Sequence, residues 1–502
     1  MSDPLHCDVA IIGSGAGGGT VAAELAPLVA DGLRVIVFEQ GPRLRDDEFD
    51  GGELTMAPAL YEDSGGFLTA DGTMTLAFGR VYGGSTVVYT GTSLIAPERV
   101  IRSWRVPGLV ASDLAERSAK YMRQNNVHML PPEEINDNNR LFVEGCRAVG
   151  YEAEQFPINV RGCLGSSLCN LGCPNAAKQG THRVQLPAAE KQGVEVVTRA
   201  EVLRIDQRRL RVRVTEKPPS GKGEPSAWAP GEYDVEARVI IAAGGSIGTS
   251  ALLLRSGLAS RLPRLGHGFT CHPAFILVAE HAQPITNWVG HPKSFFLDRA
   301  EEEGFVLETC MYFPFTTAKN LTGLGTEHAA MMQAFDRLQM ILVLACDKAV
   351  EENRIEVDRA GRPVVHYTFT PGVVDSLAAA TRAAARIFFG AGAVRVHAPA
   401  ADPHILTRGE IDRIDERITA EHFRPGTTSV SAAHLMSGCG MGSSAASSVC
   451  DAWGRVHGIP WLRVADSSLF PDSLEINPYL TVMALADRAA EAVRRDLPEL
   501  EP

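Results

Sequence analysis

The sequence predicts an α/β fold, α+β overall, organised around a parallel sheet, and three observations predict it. Two short apolar runs, residues 7–12 and 34–39, flank a glycine-rich turn and a helical stretch, the pattern of a β-α-β unit. A third apolar run, 237–243, again leads through a glycine pair into a helical pattern over 247–255. The chain has 502 residues, with 45% hydrophobic and 22% charged side chains. That is ordinary globular composition in a chain too long for one simple core, so two or three lobes are expected.

The elements follow in order. Residues 7–12, apolar apart from Asp8, read as a short buried strand. Residues 13–19 are a turn, and 20–30 read as a helix whose last turn is weakened by Pro27. Residues 79–91 form a glycine-rich loop, 131–138 a polar breaker, and 162–181 an irregular cysteine-rich stretch. Residues 194–197 and 202–214 read as strands, and 218–231, rich in Pro, Gly, Ser and Lys, as an exposed loop. Residues 269–367 mix strand-like runs with polar loops. Residues 374–389 and 409–421 read as helices, 437–448 as a Ser/Ala/Gly loop, 461–465 as a strand and 479–495 as a closing helix.

A formal charge of −12 with no basic stripe disfavours nucleic acid as a partner and suits an enzyme of small molecules. No signal peptide is visible at the start. The longest apolar segment, 340–346, is far short of a membrane span, so a cytoplasmic protein is expected. Ten cysteines in such a chain read as buried thiols or metal ligands rather than a disulfide framework.

Gly13, Gly15 and Gly18 fit G-x-G-x-x-G, with Ser14, Ala16 and Gly17 between them. The first glycine permits the tight turn, the second lets backbone approach a pyrophosphate, and the third lets helix and strand pack closely. With 48 glycines in the chain, chance alone supplies about 0.4 such matches, so the context carries the signal. Glu39 stands 21 residues after Gly18, at the end of the next strand. Its carboxylate suits two ribose hydroxyls and disfavours a 2′-phosphate, so FAD or NAD is expected before NADP. Glycine-rich loops return at Gly83-Gly84, Gly244-Gly245 and 437–442, a scatter that suits the longer cofactor, FAD.

Taken together, the motifs resemble the glucose–methanol–choline oxidoreductase family. They are 9–18 with Glu39; 79–86, similar to the family's second glycine signature; 237–245 followed by 250–254; 434–442; and 456–468 followed by Asn477-Pro478. The resemblance is loose over 270–350. It implies a Rossmann-like FAD-binding domain with a parallel sheet and a substrate-binding domain on an antiparallel sheet with helices. FAD-binding parts are then expected at 1–100, 186–270 and 426–502, a cap with the cysteine-rich loop at 101–185, and the substrate domain at 271–425. The resemblance further implies that Gly13, Gly15, Ala16, Gly17, Gly18 and Glu39 hold the ADP half of FAD. Gly83, Gly84 and Ser85 line the flavin, Val202 meets the adenine through its backbone, Gly244 belongs to the cofactor loops, and Asp466 lies near the pyrophosphate or ribityl chain. The family's catalytic pair matches His434 and Asn477, with Pro478 and Tyr479 opening the helix beside the flavin. No histidine occurs in 85–91, so FAD is expected to be noncovalent. Tyr89 stands where the family often has asparagine.

Oxidising an alcohol removes a proton from oxygen and a hydride from carbon. Flavin N5 takes the hydride, and a neutral imidazole is a suitable base. His434 is expected to be that base and Asn477 to hold the same hydroxyl. A helix starting after Asn477-Pro478 directs its positive end at charge developing on reduced flavin, and Pro478 suits a first turn because it lacks an N–H. His457 reads as structural. His272, before Pro273, is given no catalytic role.

Cys163, Cys169 and Cys173 form a C-x5-C-x3-C-P pattern with His182 nearby. Three thiolates can ligate an iron–sulfur cluster, whereas zinc wants a fourth ligand. The pattern resembles loops of some sugar dehydrogenases of the family that carry such a cluster, and cysteine-rich loops of sterol- and long-chain-alcohol-oxidising relatives. A loop of reduced thiols is the other reading, and the residues leave both open. The activity expected is oxidation of a primary or secondary alcohol to a carbonyl, with oxygen or an electron-accepting protein or quinone as second partner. Phe295-Phe296, 311–313, Met331-Met332 and Phe335 hint at a lipophilic or aromatic alcohol, although most are expected to be lobe core. A non-redox lyase or isomerase, a sugar dehydrogenase with an iron–sulfur cluster, and a protein that keeps FAD only structurally are the alternatives.

Overall fold

A computed structural model describes residues 4–218, 220–398 and 404–500. The first of its two large sheets orders Glu195–Val197, Val35–Phe38, Leu5–Ile12, Gly231–Ala242, Arg209–Val214 and Ala200–Asp206. Leu5–Ile12 runs parallel to both of its neighbours. One edge of Gly231–Ala242 changes partner along its length: residues 231–236 pair antiparallel with Arg209–Val214, and 240–242 pair parallel with Leu462–Val464. The continuous apolar runs are explained by burial on both faces. Val9, Ile11, Val37 and Ile241 pack on one side with Val21, Leu25, Ala486 and Val493. Ala10, Ile12, Phe38 and Ile240 pack on the other with Leu252 and Leu253.

The second sheet runs Phe67–Leu68, Met74–Leu76, Val430–Ala432, Ala274–Glu280, Leu338–Ala345, Phe305–Thr309, Phe295–Arg299 and Glu154–Gln155. It is antiparallel apart from the pair Val430–Ala432 and Met74–Leu76. Helix Pro371–Gly390 covers it, packing Leu377, Ala384 and Phe388 with Leu277, Leu307 and Val343. That helix opens on Pro371, and the Thr370 hydroxyl accepts the Val373 N–H at 3.3 Å, so start signal and cap agree.

Several elements differ from the sequence expectation. The first helix, Ala16–Leu25, begins directly behind the turn, and Pro27 opens a separate turn, Pro27–Ala30. Glycines 17–19 are poor helix formers, but the site has no room for side chains. A Cβ at Gly17 falls 1.7 Å from the Ala465 oxygen, and one at Gly18 falls 1.9 Å from the Gly13 oxygen. Residues 202–214 are a hairpin rather than one strand, turning at Gln207, whose φ is 52°. The helix expected over 409–421 is three short pieces, Arg408–Arg413, Ile414–Arg417 and Ala420–Phe423. Thr407 and Thr419 each form a capping box, and the second restarts the chain in mid-segment. The loop 218–231 is not wholly exposed, because Trp228 packs edge-on against Phe38 with ring centroids 5.5 Å apart.

All ten cysteines are free, and six are buried. Among the described residues, no helix is long and apolar enough to cross a membrane. The close approach at Gly17 yields a first prediction. Gly17→Ala forces the loop from Ala465 and lowers stability by about 3 kcal/mol or more, read as a fall in thermal midpoint with loss of bound flavin.

Candidate active site

Three turns meet at the carboxyl ends of the parallel strands, where an open α/β sheet places its ligand. The first is the glycine loop. Gly13 has φ 99°, and a side chain there is excluded because its Cβ falls 2.4 Å from the Ala243 oxygen. Helix Ala16–Leu25 has no side-chain cap, so the N–H groups of its first turn point outward unpaired. A Cβ at Gly15 meets nothing closer than 3.8 Å, so the cradle opens at that residue. The second turn carries Gly244, whose N–H donates to the Thr249 hydroxyl at 2.9 Å. The third carries Asp466, which is buried and accepts the Gly245 N–H at 2.9 Å, the Ser468 N–H at 2.8 Å and the Thr249 hydroxyl. Asp466 thus ties two of the turns together, and burial raises its carboxyl above the usual range.

Glu39 binds inward. Its carboxylate accepts the Ser14 N–H at 3.0 Å, the Ser14 hydroxyl, and the Gly41 N–H at 2.7 Å. Three protein donors thus take three of its about four acceptor positions. The Ser14 oxygen in turn accepts the Gly83 N–H at 2.9 Å, so Glu39 anchors both glycine loops. Gly83 and Gly84 both have positive φ, 100° and 54°. Ser85 is exposed between buried Gly84 and Thr86 and accepts the Gly79 N–H at 2.9 Å. The Val202 carbonyl is taken by the Arg255 guanidinium at 2.6 Å. Tyr479 hydrogen-bonds Ser93 and packs edge-on against Tyr89, with centroids 4.9 Å apart. Uncapped first-turn N–H groups, an open Gly15 and an exposed Ser85 fit an anionic dinucleotide laid across the turns.

His434 and Asn477, 43 residues apart in sequence, come together: Asn477 Nδ2 lies 3.3 Å from His434 Nε2. His434 follows strand Val430–Ala432, and Asn477 precedes Pro478, the N-cap of helix Tyr479–Asp496. His434 also meets His272, Nδ1 to Nδ1 at 2.9 Å, with the rings at 86°. The cause is register. Thr270 and Met436 exchange backbone hydrogen bonds of 3.1 and 2.9 Å, and an antiparallel pair at 270 and 436 sets 272 opposite 434 on the same face. His272, given no role from sequence, is therefore part of the site. Its Nε2 faces the Ser473 hydroxyl at 3.2 Å. His457, by contrast, sits with Ser448 at 3.0 Å.

Two further residues escaped the sequence reading. Asn477 Nδ2 also donates to Glu308 Oε1 at 3.1 Å, and the other Glu308 oxygen pairs with the Lys293 ammonium. Both charges are buried. Glu308 lies in Phe305–Thr309, a strand buried at all five positions. A lone charge in an otherwise apolar run was the available signal. The pocket in front of His434 and Asn477 has apolar walls of Leu94, Phe156, Phe296, Val306 and Leu344, with Glu308, Asp298 and Glu475 also on its lining. Of the aromatic and methionine residues singled out from sequence, Phe296 alone lines it. Burial pushes the His272 imidazole down to about 3, with His434 adding to the effect. Burial and then the Lys293 charge push His434 down to about 3 as well. Both rings are neutral across the physiological range.

The cysteine loop is organised without a metal. Cys163 Sγ accepts the Gly165 N–H at 3.4 Å and Cys173 Sγ the Ala177 N–H at 3.3 Å. The buried Lys178 ammonium donates to the Val87 carbonyl at 2.7 Å and to the Cys169 carbonyl. Among the described residues, no three His, Cys, Asp or Glu side chains gather closely enough to hold a metal ion. Of the two readings left open, this geometry supports a loop of reduced thiols and not an iron–sulfur cluster at Cys163, Cys169 and Cys173. The Cys163 and Cys173 sulfurs serve their own turns.

Family models described as GMC oxidoreductase match residues 57–274 and 349–486. A GMC-type oxidoreductase of Mycobacterium tuberculosis is 31% identical over 97% of this chain and 75% of its own length. A long-chain-alcohol oxidase of Arabidopsis thaliana is 26% identical over 96% of this chain and 66% of its own, and a paromamine 6'-oxidase of Streptomyces fradiae is 27% identical over 98% and 92%. Among solved structures, pyridoxine 4-oxidase from Mesorbium loti superposes with a TM-score of 0.71 at 17% identity, covering 97% of this chain and 99% of that one.

The neutral histidines make acid sensitivity predictable. A histidine whose folded pKa lies below its free value of about 6.5 leaves the unfolded chain binding more protons, so stability falls as pH drops from there toward 3. With flavin bound, the unfolding free energy of the wild type from urea titrations should fall between pH 6.5 and 4.5 more steeply than that of His272→Gln, by about 1 kcal/mol per pH unit. Elemental and sulfide analysis of the purified protein should find no stoichiometric iron.

Proposed function

The chain belongs to the GMC oxidoreductase family, FAD-dependent oxidoreductases acting on CH–OH groups, and from this premise we propose that it oxidises a primary or secondary alcohol to a carbonyl with His434 as proton acceptor. The observation that carries this reading is the convergence of His434 Nε2 and Asn477 Nδ2 at 3.3 Å on one pocket. FAD, held noncovalently, supplies the two-electron acceptor for the carbinol hydrogen. Gly13, Gly15, Ala16, Gly17, Gly18 and Glu39 hold its ADP half, and Gly83, Gly84, Ser85, Gly244, Asp466 and the start of helix Tyr479–Asp496 surround the rest.

The residues divide the remaining work. The Asn477 N–H that faces His434 Nε2 turns to the substrate oxygen when alcohol binds and holds it beside Nε2, while the other N–H stays on Glu308. The neutral imidazole receives the hydroxyl proton. Its low basicity suffices, because the hydroxyl becomes steeply more acidic as hydride leaves the adjoining carbon. Leu94, Phe156, Phe296, Val306 and Leu344 take the carbon skeleton and keep water from the reacting atoms. Those walls support a lipophilic or aromatic alcohol, a reading in keeping with the long-chain-alcohol oxidase among the relatives. Oxygen is the matching second partner.

Anaerobic mixing with a panel of apolar and aromatic primary and secondary alcohols tests the reading. Bleaching of the flavin band, reversed by air, is expected, and no bleaching with any alcohol refutes it. His434→Ala should retain FAD and slow flavin reduction by about 10²–10⁴-fold.

A further inference from the structure

We propose that Glu308, fixed by Lys293, is a positioning residue that sets the tautomer of His434 through Asn477 and keeps Nε2 unprotonated on the pocket side. The proposal rests on the reading of His434 as proton acceptor.

The argument is a count of donors and acceptors. The buried Glu308 carboxylate is ion-paired with buried Lys293. An ionised carboxylate only accepts. Its Oε1 lies 3.1 Å from one terminal atom of the Asn477 amide, so that atom is the NH₂ group and not the carbonyl oxygen. The same NH₂ nitrogen lies 3.3 Å from His434 Nε2. A donor facing Nε2 requires an unprotonated Nε2. Neutral His434 then carries its proton on Nδ1 and donates across the 2.9 Å contact to His272 Nδ1. His272, neutral with Nδ1 accepting, carries its proton on Nε2 and donates to the Ser473 hydroxyl at 3.2 Å. Every contact from Lys293 to Ser473 is then satisfied: Glu308 accepts from both Lys293 and Asn477, Asn477 donates to both Glu308 and His434, and from Asn477 onward each group donates to the next.

The reverse arrangement fails at a single place. A proton on His434 Nε2 calls for the Asn477 carbonyl oxygen beside it, and that oxygen then sits against the Glu308 carboxylate, two buried acceptors in contact. Leaving such groups unsatisfied costs more than an ordinary hydrogen bond gains. The buried charge pair is expensive to keep in an apolar strand, and this orientation is what it supplies.

Glu308→Gln tests the proposal. Lys293 holds the new carbonyl oxygen, so the new amide NH₂ faces Asn477. The Asn477 amide turns over, its oxygen meets His434, and the proton pattern reverses to Nε2–H. Nitrogen-15 spectra of histidine-labelled holoenzyme, with His434→Gln as the assignment control, read the tautomer directly. The expected result is Nδ1–H in the wild type and Nε2–H in Glu308→Gln, with FAD content unchanged and flavin reduction slowed about 100-fold or more. If Glu308→Gln does not fold, Lys293→Met serves. Its unpaired buried Glu308 takes a proton, becomes a donor and gives the same reversal. An unchanged His434 tautomer in the folded variant, or Nε2–H already in the wild type, overturns the proposal. The absence of flavin bleaching by alcohols in the wild type defeats the functional reading instead and leaves the tautomer measurement standing.

Discussion

The exchange of backbone hydrogen bonds between Thr270 and Met436 is the contact on which the site depends. Residue 270 leads into the antiparallel sheet at Ala274–Glu280, while residue 436 leads from Val430–Ala432 back toward the parallel sheet at Leu462–Val464. One short antiparallel bridge therefore ties the approach to the antiparallel sheet to the segment that returns to the parallel sheet. Because its register is fixed, His272 and His434 face each other with no freedom to slip. A one-residue slip of either strand turns its own histidine to the opposite face and breaks the contact.

The nucleotide side obeys a different constraint, which is space. Gly13, Gly17 and Gly18 stand where backbone from Ala243, Ala465 and the loop itself approaches too closely for any Cβ. Hydrogen bonds then lock the turns: Asp466 links two of them, and Glu39 acts through Ser14 on Gly83. The carboxylates that the sequence suggested for cofactor contact are thus also the fasteners of the cradle. Such a site is held in shape by its own fold, as preorganisation for a developing charge requires.

What was legible in the sequence was what depends on local chemistry. The glycine loop, Glu39 at a strand end, and the helix after Asn477-Pro478 each carry their reason within a few residues. Strand and helix positions for the first β-α-β unit follow from apolar runs and turns. His434 and Asn477 were legible as matches to a family pattern, but nothing local placed them side by side. The role of His272 was hidden because it comes from pairing across 162 residues. Glu308, in a strand, and Lys293, in the turn before one, were hidden because a charged side chain reads as solvent-facing until its neighbours are known to be buried. For the cysteines, close spacing left a shared ligand and a loop of reduced thiols both open, and the turns between them direct Cys163 and Cys173 to separate backbone donors. The helix expected over 409–421 failed because Thr419 caps a new turn within it.

The central claim is that an alcohol gives its carbinol hydrogen to the flavin while His434 receives the hydroxyl proton. The most direct measurement is the rate of anaerobic flavin reduction by a primary alcohol deuterated at the carbinol carbon, compared with the unlabelled alcohol. The account predicts full bleaching with both and a clearly slower rate with deuterium on carbon. Equal rates at saturating alcohol would contradict cleavage of the C–H bond as the step this site is built to promote.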